Sequence, residues 1–324
     1  MMKHNVKITV ILLAMFVITQ FIGLAVLQAD IFHIEQEING TIQQVSNPYL
    51  SWIAPPELET DRDFFSMFPS LLIAFIIAIS LLFLLSKFKF KFILKGWFLV
   101  VVCVALFLTI YAFEKLVPWV INPTLAVIIP AIIAIPLALI KIFGRNFVVH
   151  NITELFIYPG IAAVFVSILN FWTIIILLIL ISIYDIWAVW HSGFMQKMAK
   201  YQINKLKIFS GFFVPYISKK MRLKLKKMRA KAKKTKSKLN KKIKVNIAIL
   251  GGGDIIFPII TAGVVLKTWG LIPALFVIAG ATLGLSYLFF FAKKKKFYPA
   301  MPFITAGIFI GIILSYILGY FNII

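Results

Sequence analysis

The sequence predicts an all-α, polytopic integral membrane protein with nine transmembrane helices, N-terminus cytoplasmic and C-terminus outside. Three observations predict it. The 324-residue chain is 61% hydrophobic and 14% charged, against about 45–50% and about 25% in soluble domains. Its apolar residues come in long runs, close to the roughly 20 residues that one span needs. Basic and poorly basic connections alternate along its length, as the positive-inside rule requires. A soluble enzyme, a disordered chain and a fibrous protein are excluded.

The spans fall at about 6–28, 64–86, 92–113, 117–140, 153–169, 171–190, 245–266, 269–292 and 297–320. The first follows Lys3 and Lys7. Its run exceeds the roughly 7–15 residues of a signal-peptide core, which favours retention over cleavage. The next loop is acidic, with Asp30, Glu35, Glu37, Glu57, Glu59, Asp61 and Asp63, and it holds the sequon Asn39-Gly40-Thr41. Lys87, Lys89 and Lys91 follow the second span, Glu114 and Lys115 the third, and Lys141 and Arg145 the fourth. Glu154 falls near the start of the fifth, where a helix N-terminus favours negative charge. A short turn at Asn170 leads to the sixth.

Nineteen basic residues and no acidic one then lie between Lys197 and Lys244, within a net charge of +23. In a soluble chain such a run would suggest nucleic acid. Between spans it reads as a cytoplasmic loop in contact with anionic lipid headgroups. Its Met221–Arg229 stretch (MRLKLKKMR) suits the membrane surface. Lys267 and Lys293–Lys296 mark the last two connections. The chain thus divides into a six-helix bundle (1–190), a lysine-rich cytoplasmic loop (191–244) and a three-helix part (245–324). Gly280 and Gly284 have the small-xxx-small spacing of close helix packing. Trp187 and Trp190 read as interface anchors.

Eleven acidic residues are present, and only Asp185 and Asp254 fall well inside spans. An intramembrane acid is a functional residue by default. On a helical rise Asp185 lies about 9 Å from His191 and Asp254 about 15 Å from Lys244, so both carboxyls reach similar depth from the cytoplasmic face. No intramembrane lysine or arginine serves as counter-ion. Two close carboxyls without a cation share a proton and supply an acid and a base together.

Their surroundings sharpen the reading. Tyr184 precedes Asp185, and its ring and hydroxyl can border a pocket. Leu250-Gly251-Gly252-Gly253 precedes Asp254, and Pro258 follows one turn later. Glycines weaken the helix and let another backbone approach. At the cytoplasmic start of the last span, Tyr298-Pro299-Ala300-Met301-Pro302 interrupts the helical ladder and exposes carbonyls for a substrate strand.

These pieces in order, on a nine-span layout, resemble the presenilin and signal peptide peptidase family, and the chain looks like an archaeal presenilin homologue. Met301 stands where the family usually has leucine, a volume-conserving exchange. The lysine-rich segment replaces the long acidic or mixed loop of eukaryotic presenilins. The resemblance implies an intramembrane aspartyl protease of the cell membrane that cuts within transmembrane helices. Asp185 and Asp254 would be its catalytic pair. Tyr184, Leu250, Gly251, Gly252, Gly253, Pro299, Ala300, Met301 and Pro302 would line the substrate. It implies no cofactor. A single cysteine (Cys103) and scattered histidines (His4, His33, His150, His191) also argue against a metal site. A homo-oligomer is compatible with the chain, and no obligatory partner subunit is evident.

The principal rival is an ion-coupled secondary transporter, whose midplane aspartates and glycine-broken helices would look alike. It would call for inverted repeats, which are not found, and it leaves the proline motif unexplained. A membrane scaffold fits poorly with two acids at matched depth. A prepilin-type peptidase shares the glycine-aspartate motif but not the Tyr-Asp and Pro-Ala-x-Pro elements.

Overall fold

A computed structural model describes residues 6–38, 40–58, 60–88, 90–117, 122–144, 146–192, 210–216, 246–291 and 298–321. Among them, nine helices are long and apolar enough to cross a membrane. They are α1 (Val6–Gln28), α2 (Asp61–Lys87), α3 (Lys91–Leu116), α4 (Pro123–Phe143), α5 (Phe147–Ser167), α6 (Phe171–Trp187), α7 (Gly252–Trp269), α8 (Leu271–Phe291) and α9 (Met301–Tyr320). Two antiparallel hairpins join them: β1 (His33–Ile38) with β2 (Thr41–Ser46), and β3 (Gly211–Tyr216) with β4 (Asn246–Gly251).

Asparagines set several starts. Asn122, Asn146 and Asn170 cap α4, α5 and α6 by accepting from Thr124, Val148 and Thr173 backbone N–H groups. Asn170 and Thr173 complete a reciprocal capping box. The core is the seam of α1, α5 and α7, where Gly23 sits against Ile259 and Gly263 against Leu27 and Val166. The expected close packing at Gly280 and Gly284 is present and two-sided. A Cβ at Gly280 or Gly284 would collide with the backbone of Gly307 or Phe303 on α9, and one at Gly311 with the backbone of Phe276. Ile73, Ile76 and Ile77 on α2, and Ile310 and Ile313 on α9, face outward, as lipid-facing residues do. Trp187 and Trp190 are exposed.

Three span starts differ most from expectation. The fourth span starts at Pro123, where Asn122 caps it, instead of near 117. The fifth span starts at Phe147, because His150 and Asn151 turn inward against β3 instead of lying outside the span. The seventh starts at Gly252, because Asn246–Gly251 forms strand β4. Its partner β3 lies within the expected cytoplasmic loop. The Asn39 sequon, Met221–Arg229, Lys293–Lys296 and most of the basic loop lie outside the described residues.

Candidate active site

The β3–β4 hairpin delivers the chain directly into α7. Gly251 is the helix N-cap with an extended backbone (φ −67°, ψ 149°), so Asp254 stands in the first helical turn. The depth reckoned along a continuous helix from Lys244 is therefore corrected: the residues from Asn246 to Gly251 rise as a strand, about 3.3 Å each instead of 1.5 Å. Of the three glycines before Asp254, none takes a positive φ. Gly252 is needed for closeness: a Cβ there would lie 2.8 Å from Ser210 Oγ and 2.9 Å from Tyr158 Oη. A Cβ on Gly251 would meet Asp254 Oδ2 at 3.3 Å, whereas Gly253 is exposed and its side is open. Leu250 is buried in the core, not lining an open surface.

Asp185 comes from the last turn of α6 and is buried. A π-helical turn, Ala188–Ser192, follows, and the Ala188 N–H donates to Asp185 and Tyr184 carbonyls. Such turns occur often at functional sites. Tyr184 is partly exposed and its ring meets that of Trp187. Asp185 and Asp254 lie within electrostatic reach of one another.

The proline segment acts differently from expectation. Pro302 sits in the first turn of α9, where a proline costs no helical hydrogen bond. The Ala300 carbonyl is already used, accepting from Phe303 and Ile304 N–H groups at 3.1 Å. The segment thus turns donors, rather than an exposed Ala300 carbonyl, toward the site. Between two prolines only Ala300 and Met301 carry an N–H; Met301 donates to Asp185 Oδ2 at 3.0 Å, and the Ala300 N–H lies beside the same carboxylate. First-turn N–H groups have no partner inside their helix, so a carboxylate is their natural acceptor. Pro299 and the Met301 side chain are buried. One turn further along, Ser182 donates to Thr305 Oγ1 at 2.9 Å and ties α6 to α9.

Several residues at the site escaped the sequence reading. Gln20 of α1 donates to the Ile255 carbonyl at 3.1 Å, fully buried, and so holds the first turn of α7. A glutamine inside an apolar span was the available signal. Lys141 and Glu154 were expected in a connection and at a helix start. They form an ion pair instead, with side chains 4% and 2% exposed. Glu154 lies two turns into α5, beyond the reach of the N-terminal dipole. Among the described residues no three His, Cys, Asp or Glu side chains converge as metal ligands.

A buried aspartate in the last turn of one apolar helix and a second in the first turn of another thus come within electrostatic reach inside a multi-span bundle. Residues 59–320 match the family described as signal-peptide peptidase, presenilin aspartyl protease. The chain belongs to that family and is an intramembrane aspartic endopeptidase, multi-pass in its membrane. Two solved structures of a presenilin family intramembrane aspartate protease share its fold. One, in space group C222, is 15% identical with a TM-score of 0.58, over 96% of this chain and 99% of that one. The other, in P2, is 17% identical with a TM-score of 0.54, over 95% and 96%. No curated protein matches the chain.

Proposed function

We propose that Asp185 and Asp254 are the catalytic pair and that they hydrolyse peptide bonds of transmembrane segments unwound into extended form. The observation that carries this is the seating of Asp185 on the Met301 N–H at the start of α9, within electrostatic reach of Asp254. Oδ2 of Asp185 is committed as an acceptor, so Oδ1 is left for proton traffic. Fixed by donors at a helix start, Asp185 suits the base. It takes a proton from water as the water oxygen bonds to the scissile carbonyl carbon, while Asp254 gives its proton to the carbonyl oxygen. On collapse the C–N bond breaks. The leaving nitrogen takes the proton from Asp185, and a hydroxyl proton returns to Asp254.

The hairpin supports strand addition as the way a substrate is held. Phe213 points its N–H and C=O at Asn151, away from β4. Its partner Ile249 must then point its own N–H and C=O outward from the other side of the ladder. By the same alternation so does Ile247, whereas at Gly251 the strand gives way to the N-cap of α7. An extended segment adding to this edge lies three residues before Asp254. The basic loop supports an orientation with N-terminus and loop cytoplasmic and loop lysines near anionic headgroups. The test is purified protein alone with a transmembrane peptide, products read by mass. Internal cuts support the reading; an intact peptide together with proton-coupled uptake in liposomes would replace it by transport.

A further inference from the structure

A polar cluster on the other side of the hairpin lies outside the chemistry above. Lys141 of α4 and Glu154 of α5 pair while almost wholly enclosed. His150, one turn before Glu154, has Nε2 3.5 Å from Glu154 Oε1 and 3.0 Å from the Gly211 carbonyl. Both of those neighbours only accept, so Nε2 carries the hydrogen. Asn151 takes both polar groups of one strand residue: its Nδ2 donates to Phe213 O at 2.9 Å, and its Oδ1 accepts Phe213 N–H at 3.1 Å. The His150 ring also meets that of Phe213, with centroids 4.7 Å apart. Further along α5 the Tyr158 hydroxyl faces Glu154 and Ser210, and closes on Gly252.

The outward groups of β3 at Gly211 and Phe213 are therefore occupied by α5. A free strand edge offers pairing to any extended segment. Here one of the two hairpin edges is taken by side chains anchored on a buried ion pair. We infer that His150 and Asn151, seated on Lys141–Glu154, are positioning residues that close the β3 edge, so that substrate pairs along β4 alone and in one register against the aspartates. This rests on the strand-addition reading above. It adds the residues that decide which edge and which register are used. Register matters because a slip of one residue turns every side chain to the opposite face, so the accessible error is a slip of about two.

The test uses the full chain with one transmembrane peptide, in two arms. Hydrogen exchange reads the clamp without reference to activity: in Asn151→Ala the Phe213 amide should exchange roughly tenfold faster or more. Cut-site mapping reads the register: Asn151→Ala should lower kcat/KM about tenfold, as expected for two lost hydrogen bonds. It should also add products displaced by about two residues. A loss of fold alone would reduce turnover without moving the cut. His150→Gln, which keeps a donor near the Nε2 position, should retain the wild-type cut, and His150→Leu should not. If Asn151→Ala fails to fold, Asn151→Asp keeps the acceptor for Phe213 N–H, places a second acceptor against its carbonyl, and should shift the cuts in the same way. Unchanged Phe213 exchange, a single unshifted cut in the variants, or equal damage from His150→Gln and His150→Leu would overturn the proposal. A wild-type chain that cuts nothing would overturn the protease reading and the register role with it; the exchange arm would then still decide whether the clamp exists.

Discussion

At the scale of single residues, two neighbouring glycines separate fold from chemistry. Gly252 has Tyr158 and Ser210 pressed against it, whereas Gly253 is open beside Asp254. Gly252→Ala should destabilise the hairpin–α7 junction by about 1–3 kcal/mol through overpacking. Gly253→Ala should leave stability unchanged or slightly raised, since alanine is the better helix former by about 1 kcal/mol. Its methyl would stand where a substrate backbone approaches, so cleavage should fall through a raised KM. Thermal unfolding beside peptide cleavage distinguishes them, and the reverse ordering would contradict the geometry. The acid pair makes a sharper prediction. Asp185→Asn and Asp254→Asn should each abolish cleavage with the fold retained, and the double variant should be no worse than either, because groups that act as a unit lose function together. Substantial turnover by either single variant would remove the pair from the chemistry. Leucine at Met301 should be silent, because that residue meets Asp185 through its N–H.

At the scale of elements, the α8–α9 seam carries the donors of Asp185. Gly280 and Gly284 face Gly307 and Phe303 backbone with no room for a Cβ. Gly284→Val should force the helices apart, cost more than about 1–3 kcal/mol of overpacking, and withdraw the Ala300 and Met301 N–H groups. Cleavage should fall further than Gly319→Val, whose site is open, would cause. Equal activity of these two variants would show that the seam does not position the site. The spacing of Gly280 and Gly284 announced the seam in the sequence, but its partner on α9 is visible only once the helices pack. Strand β4 was hidden for a different reason. Asn-Ile-Ala-Ile-Leu is a short apolar run that reads equally as the start of a buried helix. Its partner β3 lies 35 residues earlier, in a region dominated by lysine.

At the scale of the whole molecule, buried charge and orientation make the remaining predictions. Removing one partner of Lys141–Glu154 leaves an uncompensated charge, which costs about 3–5 kcal/mol, whereas replacing both with apolar residues costs much less. Lys141→Met should therefore unfold at clearly lower temperature than the Lys141→Met/Glu154→Leu double variant; a double variant that is no better than the single would rule out a coupled pair. The proposed cytoplasmic loop predicts that a peptide helix whose N-terminus lies outside is cut near its cytoplasmic end. The same peptide inserted the other way should be cut poorly, and equal cutting of both would contradict the orientation.

The sequence by itself determined the spans, their order, the aspartates and the glycine and proline motifs, because hydropathy and spacing are properties of local chain. It placed Asp185 and Asp254 within apolar spans and read Pro299–Pro302 as a break that exposes carbonyls, whereas the Ala300 carbonyl accepts from Phe303 and Ile304 and the Met301 N–H donates to Asp185. Tertiary structure alone decided that Met301 donates to Asp185, that Gln20 holds Ile255, and that His150 and Asn151 grip β3. Lys141 and Glu154 looked like a loop cation and a helix-start acid until packing enclosed them as a pair. The physical reason is common to all of these. A polar group in a bilayer must find its partner inside the protein, and which partner it finds depends on residues far away in sequence that only the folded bundle brings within hydrogen-bonding distance.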